Sequence, residues 1–306
     1  MPNWEQVLNE IRNVPNPLDS VRKKYLAIMH EYTHRNIIAY YSAFVQKPNI
    51  EGTGIDDSDK NAFMQAACGL DRGKGLDLIL HTPGGNIAAT ESLVYYLKSL
   101  FGTDIRVFVP QIAMSAGTMI ALATHTIVMG KQSNLGPIDP QFGGMSCAAV
   151  LEEFETALSD VKNDPSSVSI WSNIIRKYHP TFIGDCKKAI DWSEQIVKQW
   201  LVENMFRKSS DPDVDASRVV AYLSSHNNTY SHARHIHIED LKRIGVNVIE
   251  LENLDNNKIG ECRDLQDCVL TIHHAYMNVF AQTPVIKIVE NHAGSAMITS
   301  QRSKNI

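Results

Sequence analysis

Short apolar runs alternate with amphipathic stretches through the first half of the chain, and each run ends at turn chemistry. Arg35 to Val45 is rich in Ile, Tyr, Phe and Val and stops at Lys47-Pro48-Asn49, which predicts a strand. Gly75 to His81 carries Leu-Asp-Leu-Ile-Leu and ends at Thr82-Pro83-Gly84-Gly85, a second strand. Asn86 to Phe101 places Leu93, Tyr96, Leu97 and Leu100 on one face of a helix. Asp104 to Pro110 predicts the next strand, Ser115 to Ala123 the next helix, and Thr126 to Met129 another strand. A helix to about Cys68 is capped by Asp56-Asp57-Ser58-Asp59.

Alternation at this spacing argues for an α/β fold, a parallel sheet covered by helices on both faces. Residues 1–34 read as a helical extension, broken at Val14-Pro15-Asn16-Pro17, with Asp19 or Ser20 as the N-cap that restarts it. Past Gly144 the pattern turns helical: Ala148 to Asn163, Ser167 to Tyr178 and Thr181 to Lys208. Ile238 to Ile244 is a short helix, followed by a strand at Val246 to Leu251. A C-terminal part, 253–306, holds a helix (Asp264 to Gln282), a strand (Val285 to Glu290) and a polar, loose tail from Asn291. That leaves 35–252 as the main domain.

Composition narrows the function. Apolar residues make up 43% and charged residues 21%, so a packed core is expected. The formal net charge is −5 and the longest basic run is Arg22-Lys23-Lys24, so nucleic acid is not an expected partner. Gln111 to Gly130 is long enough to span a bilayer, but Ser115, Gly117, Thr118, Thr124, His125 and Thr126 mark it as buried protein structure. The opening Met1-Pro2-Asn3-Trp4-Glu5 has no signal-peptide character. The five cysteines have no C-x-x-C spacing, which fits a reducing, cytoplasmic setting without disulfides or a zinc ribbon.

Two loops carry candidate chemistry, each at the C-terminal end of a predicted strand, where open α/β sheets place their sites. Thr82-Pro83-Gly84-Gly85 can turn sharply and present bare N–H groups, as an oxyanion hole requires, or it is an ordinary strand-to-helix turn. In Met114-Ser115-Ala116-Gly117, a serine opens a helix among small residues and serves either as a nucleophile or as a helix cap. Neighbouring parallel strands would bring both loops to one sheet edge, which favours acyl transfer.

Leu80-His81-Thr82-Pro83-Gly84-Gly85, Met114-Ser115-Ala116-Gly117-Thr118 and Leu135-Gly136-Pro137-Ile138-Asp139-Pro140-Gln141 together resemble the serine dehydrogenase proteinase family. That family is related to signal peptide peptidase A and belongs to the Clp protease/crotonase superfamily. The resemblance covers roughly 35–290. It implies a Clp/crotonase-like spiral of ββα units and a serine peptidase with Ser115 as nucleophile. Gly85 and Ala116 are the leading oxyanion donors, with Gly84 and Gly117 beside them. No Gly-x-Gly-x-x-Gly stands at a strand–helix junction, so no nicotinamide cofactor is expected, nor any other.

The general base is the open question. Asp139 falls where Clp-type peptidases carry their histidine, and their aspartate position falls near Ala233, so a Clp-type triad is not expected. Peptidase A relatives use a Ser-Lys dyad, which points to Lys188 near the start of a helix; a lysine base must be desolvated to be neutral. His232 is the rival, as base or as a partner that orients Lys188. His232, His235 and His237 lack an acidic or cysteine partner for a metal, and none is expected. The expected substrate is an extended polypeptide beside Pro83-Gly84-Gly85, and self-association is expected through the helical half that carries Trp171, Trp192 and Trp200. A crotonase-type acyl-CoA enzyme, a silent oligomeric scaffold and an α/β-hydrolase are the competing readings.

Overall fold

The computed structural model describes residues 7, 9, 17–254, 257, 258 and 260–301. Helix α1 (Pro17–Thr33) leads into strand β1 (Asn36–Ser42), and α2 (Ser58–Ala67) leads into β2 (Leu76–His81). Then come α3 (Ile87–Phe101), β3 (Ile105–Val109), the short β4 (Ile112–Ala113), α4 (Ala116–Leu122), β5 (Thr126–Met129) and β6 (Asn134–Leu135). A small hairpin, β7 (Gln141–Phe142) and β8 (Met145–Ser146), opens the helical half. This half comprises α5 (Cys147–Asn163), α6 (Val168–Ile175), α7 (Phe182–Trp200) and α8 (Pro212–Ser224). The chain returns through α9 (Ile238–Arg243), β9 (Val248–Glu250), α10 (Leu265–Gln282), β10 (Val285–Asn291) and β11 (Ala296–Ser300).

The main sheet runs β11-β10-β1-β2-β3-β5-β9. Neighbours from β1 to β9 are parallel, whereas β10 is antiparallel to both β1 and β11. Its inner strands are apolar on both sides because both faces are covered. Ile38, Tyr40, Leu78, Leu80 and Val107 join the core under α3 and α4. Their neighbours Ile37, Ala39, Tyr41, Ile79 and Phe108 join the core under α1 and α10. A third, small cluster (Cys147, Val150, Phe182, Cys186, Ala189) holds α5 to α7.

Beyond the C-terminal ends of the sheet strands lies a second row of short pairings. Ile55 bridges Gly85, Thr82 bridges Ala113, β4 pairs with β6, and Leu135 bridges Ile236. Strand, short strand and helix thus repeat along the spiral, as the resemblance implies.

Three expectations are corrected. The segment read as a separate C-terminal part supplies a strand of the main sheet: β10 lies against β1 over Ile38–Ser42, and α10 packs on α1. The tail after Asn291 is not loose, because Ala296-Met297-Ile298-Thr299 suits an extended strand and Gly294 (φ +89°) turns it back onto β10. Helix α1 begins at Pro17, so Asp19 lies in its first turn and is not its cap. The break at 14–16 lies outside the described residues. Helix α8 was not anticipated, although Asp211 caps it on Val214 N–H with Pro212 at its start.

Candidate active site

Ser115 stands at the junction of β4 and α4 with φ +52° and ψ −116°. A side chain rarely adopts this backbone, at a cost of roughly 1–3 kcal/mol. The hydroxyl does not cap the helix it precedes. The turn is held from outside: Thr118 Oγ1 donates to the Ala113 carbonyl (2.9 Å) and accepts the Gly136 N–H (2.9 Å). The second and third sequence motifs are therefore tied through one hydroxyl.

Gly84 (φ +99°) lies directly against this turn; a Cβ there would meet Ser115 Cβ at 2.6 Å and the Ala116 nitrogen at 3.0 Å. Gly85 is equally close to another backbone, since its Cβ would lie 2.3 Å from Ile55 N. Ile55 donates to the Gly84 carbonyl (2.8 Å) and accepts from Asn86 N–H (2.9 Å). In such a parallel bridge the N–H of the intervening Gly85 points away from Ile55.

Of the four sequence-predicted oxyanion residues, two have their N–H groups engaged elsewhere. Gly84 N–H donates to Thr82 Oγ1 (3.2 Å) and Gly117 N–H to the Met114 carbonyl (2.7 Å). Ala116 N–H has no carbonyl within its own helix, because α4 begins there. Gly85 and Ala116 remain as the pair with N–H groups to offer. One edge of the Gly84–Gly85 segment is taken by Ile55, so an added peptide strand has only the other.

Ser115, Gly85, Lys188, Asp139 and His232 all line one cavity of about 910 Å³. Lys188 lies inside α7, which starts at Phe182, and is exposed. Asp139 is 1% exposed, and His232 Nδ1 lies 2.8 Å from its Oδ1. Leu135 and Ile236 exchange two backbone hydrogen bonds, 3.1 and 2.9 Å. Asp139 and His232 lie four residues to either side of this isolated bridge, on the two segments that it brings together. In the tautomer that donates Nδ1–H to Asp139 Oδ1, the ring's other nitrogen, Nε2, carries the lone pair. Sequence reasoning found His232 and Asp139 separately and missed that they meet.

His235 and His237 are exposed, and among the described residues no group of three or more His, Cys, Asp or Glu side chains could hold a metal ion. Among the same residues no helix is long and apolar enough to cross a membrane. All five cysteines are free.

A mostly parallel α/β spiral with a strained serine at a helix start, beside a glycine turn, defines a ClpP-like protein. Residues 20–257 match the family of ClpP-like SDH-type serine proteinases, and the chain belongs to that family, as its three motifs led us to expect. It is similar to two uncharacterized proteins of Methanocaldococcus jannaschii. MJ0137 is 36% identical over 114 residues, covering 37% of this chain and 39% of the relative. MJ1495 is 31% identical over 173 residues, covering 56% of this chain and 51% of the relative. The match thus spans about half or less of these relatives' length. A solved structure, a serine-to-alanine mutant of the 1510-N membrane-bound stomatin-specific protease, aligns with a TM-score of 0.37 at 16% identity. That alignment covers 64% of this chain and 75% of the other.

Proposed function

We propose that the chain is a serine peptidase that cuts polypeptides through an acyl-enzyme on Ser115, with His232 as general base and Asp139 orienting it. The observation that carries this reading is the 2.8 Å His232–Asp139 pair in the cavity that also holds the strained Ser115. Ser115 Oγ attacks the scissile carbonyl and passes its proton to His232 Nε2. The Gly85 and Ala116 N–H groups take the oxyanion, and His232 returns the proton to the leaving amine. The carboxylate stands where sequence comparison expected a histidine, and the imidazole stands one residue from the expected aspartate.

The Ser-Lys dyad is the weaker alternative. Lys188 lines the cavity from the exposed side of α7, whereas His232 there meets the buried Asp139 carboxyl group. A CoA-binding role fits less well, since the cavity presents Asp139 and Asp185 and a single lysine to a polyphosphate.

Labelling with a fluorophosphonate tests the assignment. The wild type should take up one equivalent, and Ser115→Ala should take up none; equal labelling of the variant would remove Ser115 as nucleophile. We further propose that copies self-associate through the helical half. Helix α6 exposes Val168 and Ile170 and buries no residue, while Trp200, expected at an interface, closes the core instead. Light scattering at micromolar concentration should exceed the 34.2 kDa of one chain; a monomer would refute the assembly.

A further inference from the structure

A second cavity of about 650 Å³ adjoins the first. The two share three lining residues, Pro83, Gln141 and His232, so His232 stands on the boundary between them. Ser115 and Gly85 line the first cavity and not the second. Phe44, Ile112, Met114, Ala149 and Tyr230 give the second its apolar wall, and Ser146, Ser231 and His235 also line it. No Asp, Glu, Lys or Arg lines it, whereas Asp139, Asp185 and Lys188 line the first.

Resting on the peptidase reading above, we infer that this second cavity receives an uncharged, apolar side chain from the leaving-group half of the polypeptide. The argument is where the proton goes. The group that takes the Ser115 proton must next hand it to the leaving amine, so that amine stands at His232 when the C–N bond breaks. The acyl half stays on Ser115 beside Gly85 and Ala116, within the first cavity. The amine half continues past His232, and the space on that side is the second cavity. The Phe44, Ile112 and Met114 side chains gain from burying an aliphatic or aromatic group, and the lining offers a charged side chain no carboxylate, ammonium or guanidinium to pair with. Met114 adjoins Ser115 in sequence, which fixes this wall to the nucleophile's own turn.

Run in reverse, the same step becomes a measurement. An amino-acid amide attacks the acyl-enzyme carbonyl through its amine nitrogen. His232 takes the amine proton and gives it to Ser115 Oγ as the ester C–O bond breaks, leaving a new peptide bond. A peptide ester should be supplied to load Ser115, and leucinamide, phenylalaninamide, aspartic acid amide and lysinamide offered as competing nucleophiles against water. Leucinamide and phenylalaninamide should capture the acyl group at least about tenfold better than the charged amides. Ala149→Trp, which fills the cavity, should erase that preference while hydrolysis of the ester continues. Phe44→Ala, which enlarges it, should shift preference towards tryptophanamide, and this variant decides the matter if Ala149→Trp does not fold. Equal capture of all four amides by the wild type overturns the subsite, as does an unchanged preference in both variants. Failure of the ester to acylate Ser115 overturns the peptidase reading itself, and the subsite with it.

Discussion

Gly84 and Ser115 touch so closely that a methyl group on the glycine would sit 2.6 Å from the serine Cβ. No real pair of carbons approaches that far without movement, and the glycine's φ of +99° already disfavours a side chain. Gly84→Ala should therefore cost roughly 1–3 kcal/mol of stability and abolish labelling of Ser115. Thermal unfolding beside probe labelling checks both. A variant labelled at the wild-type rate would show that the glycine turn does not position the serine.

The backbone of Ser115 stores strain that a glycine would release. Ser115→Gly should be more stable than Ser115→Ala, which keeps the Cβ at φ +52°. Relief of roughly 1–3 kcal/mol outweighs the roughly 0.4–1 kcal/mol lost to the greater freedom of the unfolded glycine chain. Denaturant midpoints of the two inactive variants give the answer, and Ser115→Ala proving the more stable would contradict it.

The base assignment separates under three substitutions. His232→Gln should remove turnover, and Asp139→Asn should lower kcat by roughly 10³-fold or more, because an amide no longer fixes the imidazole tautomer. Lys188→Arg keeps a charge that cannot be lost and should leave most activity intact. Steady-state kinetics on a peptide ester measures all three. A dead Lys188→Arg with an active His232→Gln would establish the dyad.

Acid should unfold this protein through its buried histidines. Burial pushes His81 from 6.5 down to about 3, and burial with His30 beside it takes His292 down to about 4. His273 is likewise pushed well down by burial and by its neighbours His81 and His274. With the native pKa depressed, the unfolded chain binds more protons below pH 6.5. Stability is therefore full above 6.5 and declines as pH falls towards 4, by up to about 1.4 kcal/mol per pH unit for each of the fully buried His81 and His273 and by less for the half-buried His292. His81→Leu should flatten that decline in urea melts between pH 7 and pH 4; an unchanged slope would exclude His81 as a contributor.

The strands were legible because they are buried on both faces and read as continuous apolar runs; Leu76–His81 and Ile105–Val109 begin and end within a residue or so of their turn signals. Ser115 was legible for a local reason, a serine flanked by small residues at a strand end. The base was not. Asp139 and His232 are separated by 93 positions, and their segments meet at the isolated Leu135–Ile236 bridge, a long-range pairing that no local pattern announces. The strand β11 was obscured by its exposure: it lies at the sheet edge, its residues are mostly solvent-facing, and Met297 and Ile298 are adjacent and so do not alternate with polar positions.

Lys287, on β10, donates to the Gly54 carbonyl (2.8 Å) and to both oxygens of the buried Asp59 carboxylate (2.9 Å each). Gly54 precedes Ile55, the residue whose backbone braces Gly84 and Asn86. Synthesis proceeds from the N-terminus, so a growing chain presents Ser115 long before Lys287 exists. Until β10 leaves the ribosome, the loop that offers the Gly85 N–H lacks this anchor. The geometry around Ser115 thus waits on a segment made far downstream of it, so the order of synthesis and the order of assembly run in opposite directions at this loop.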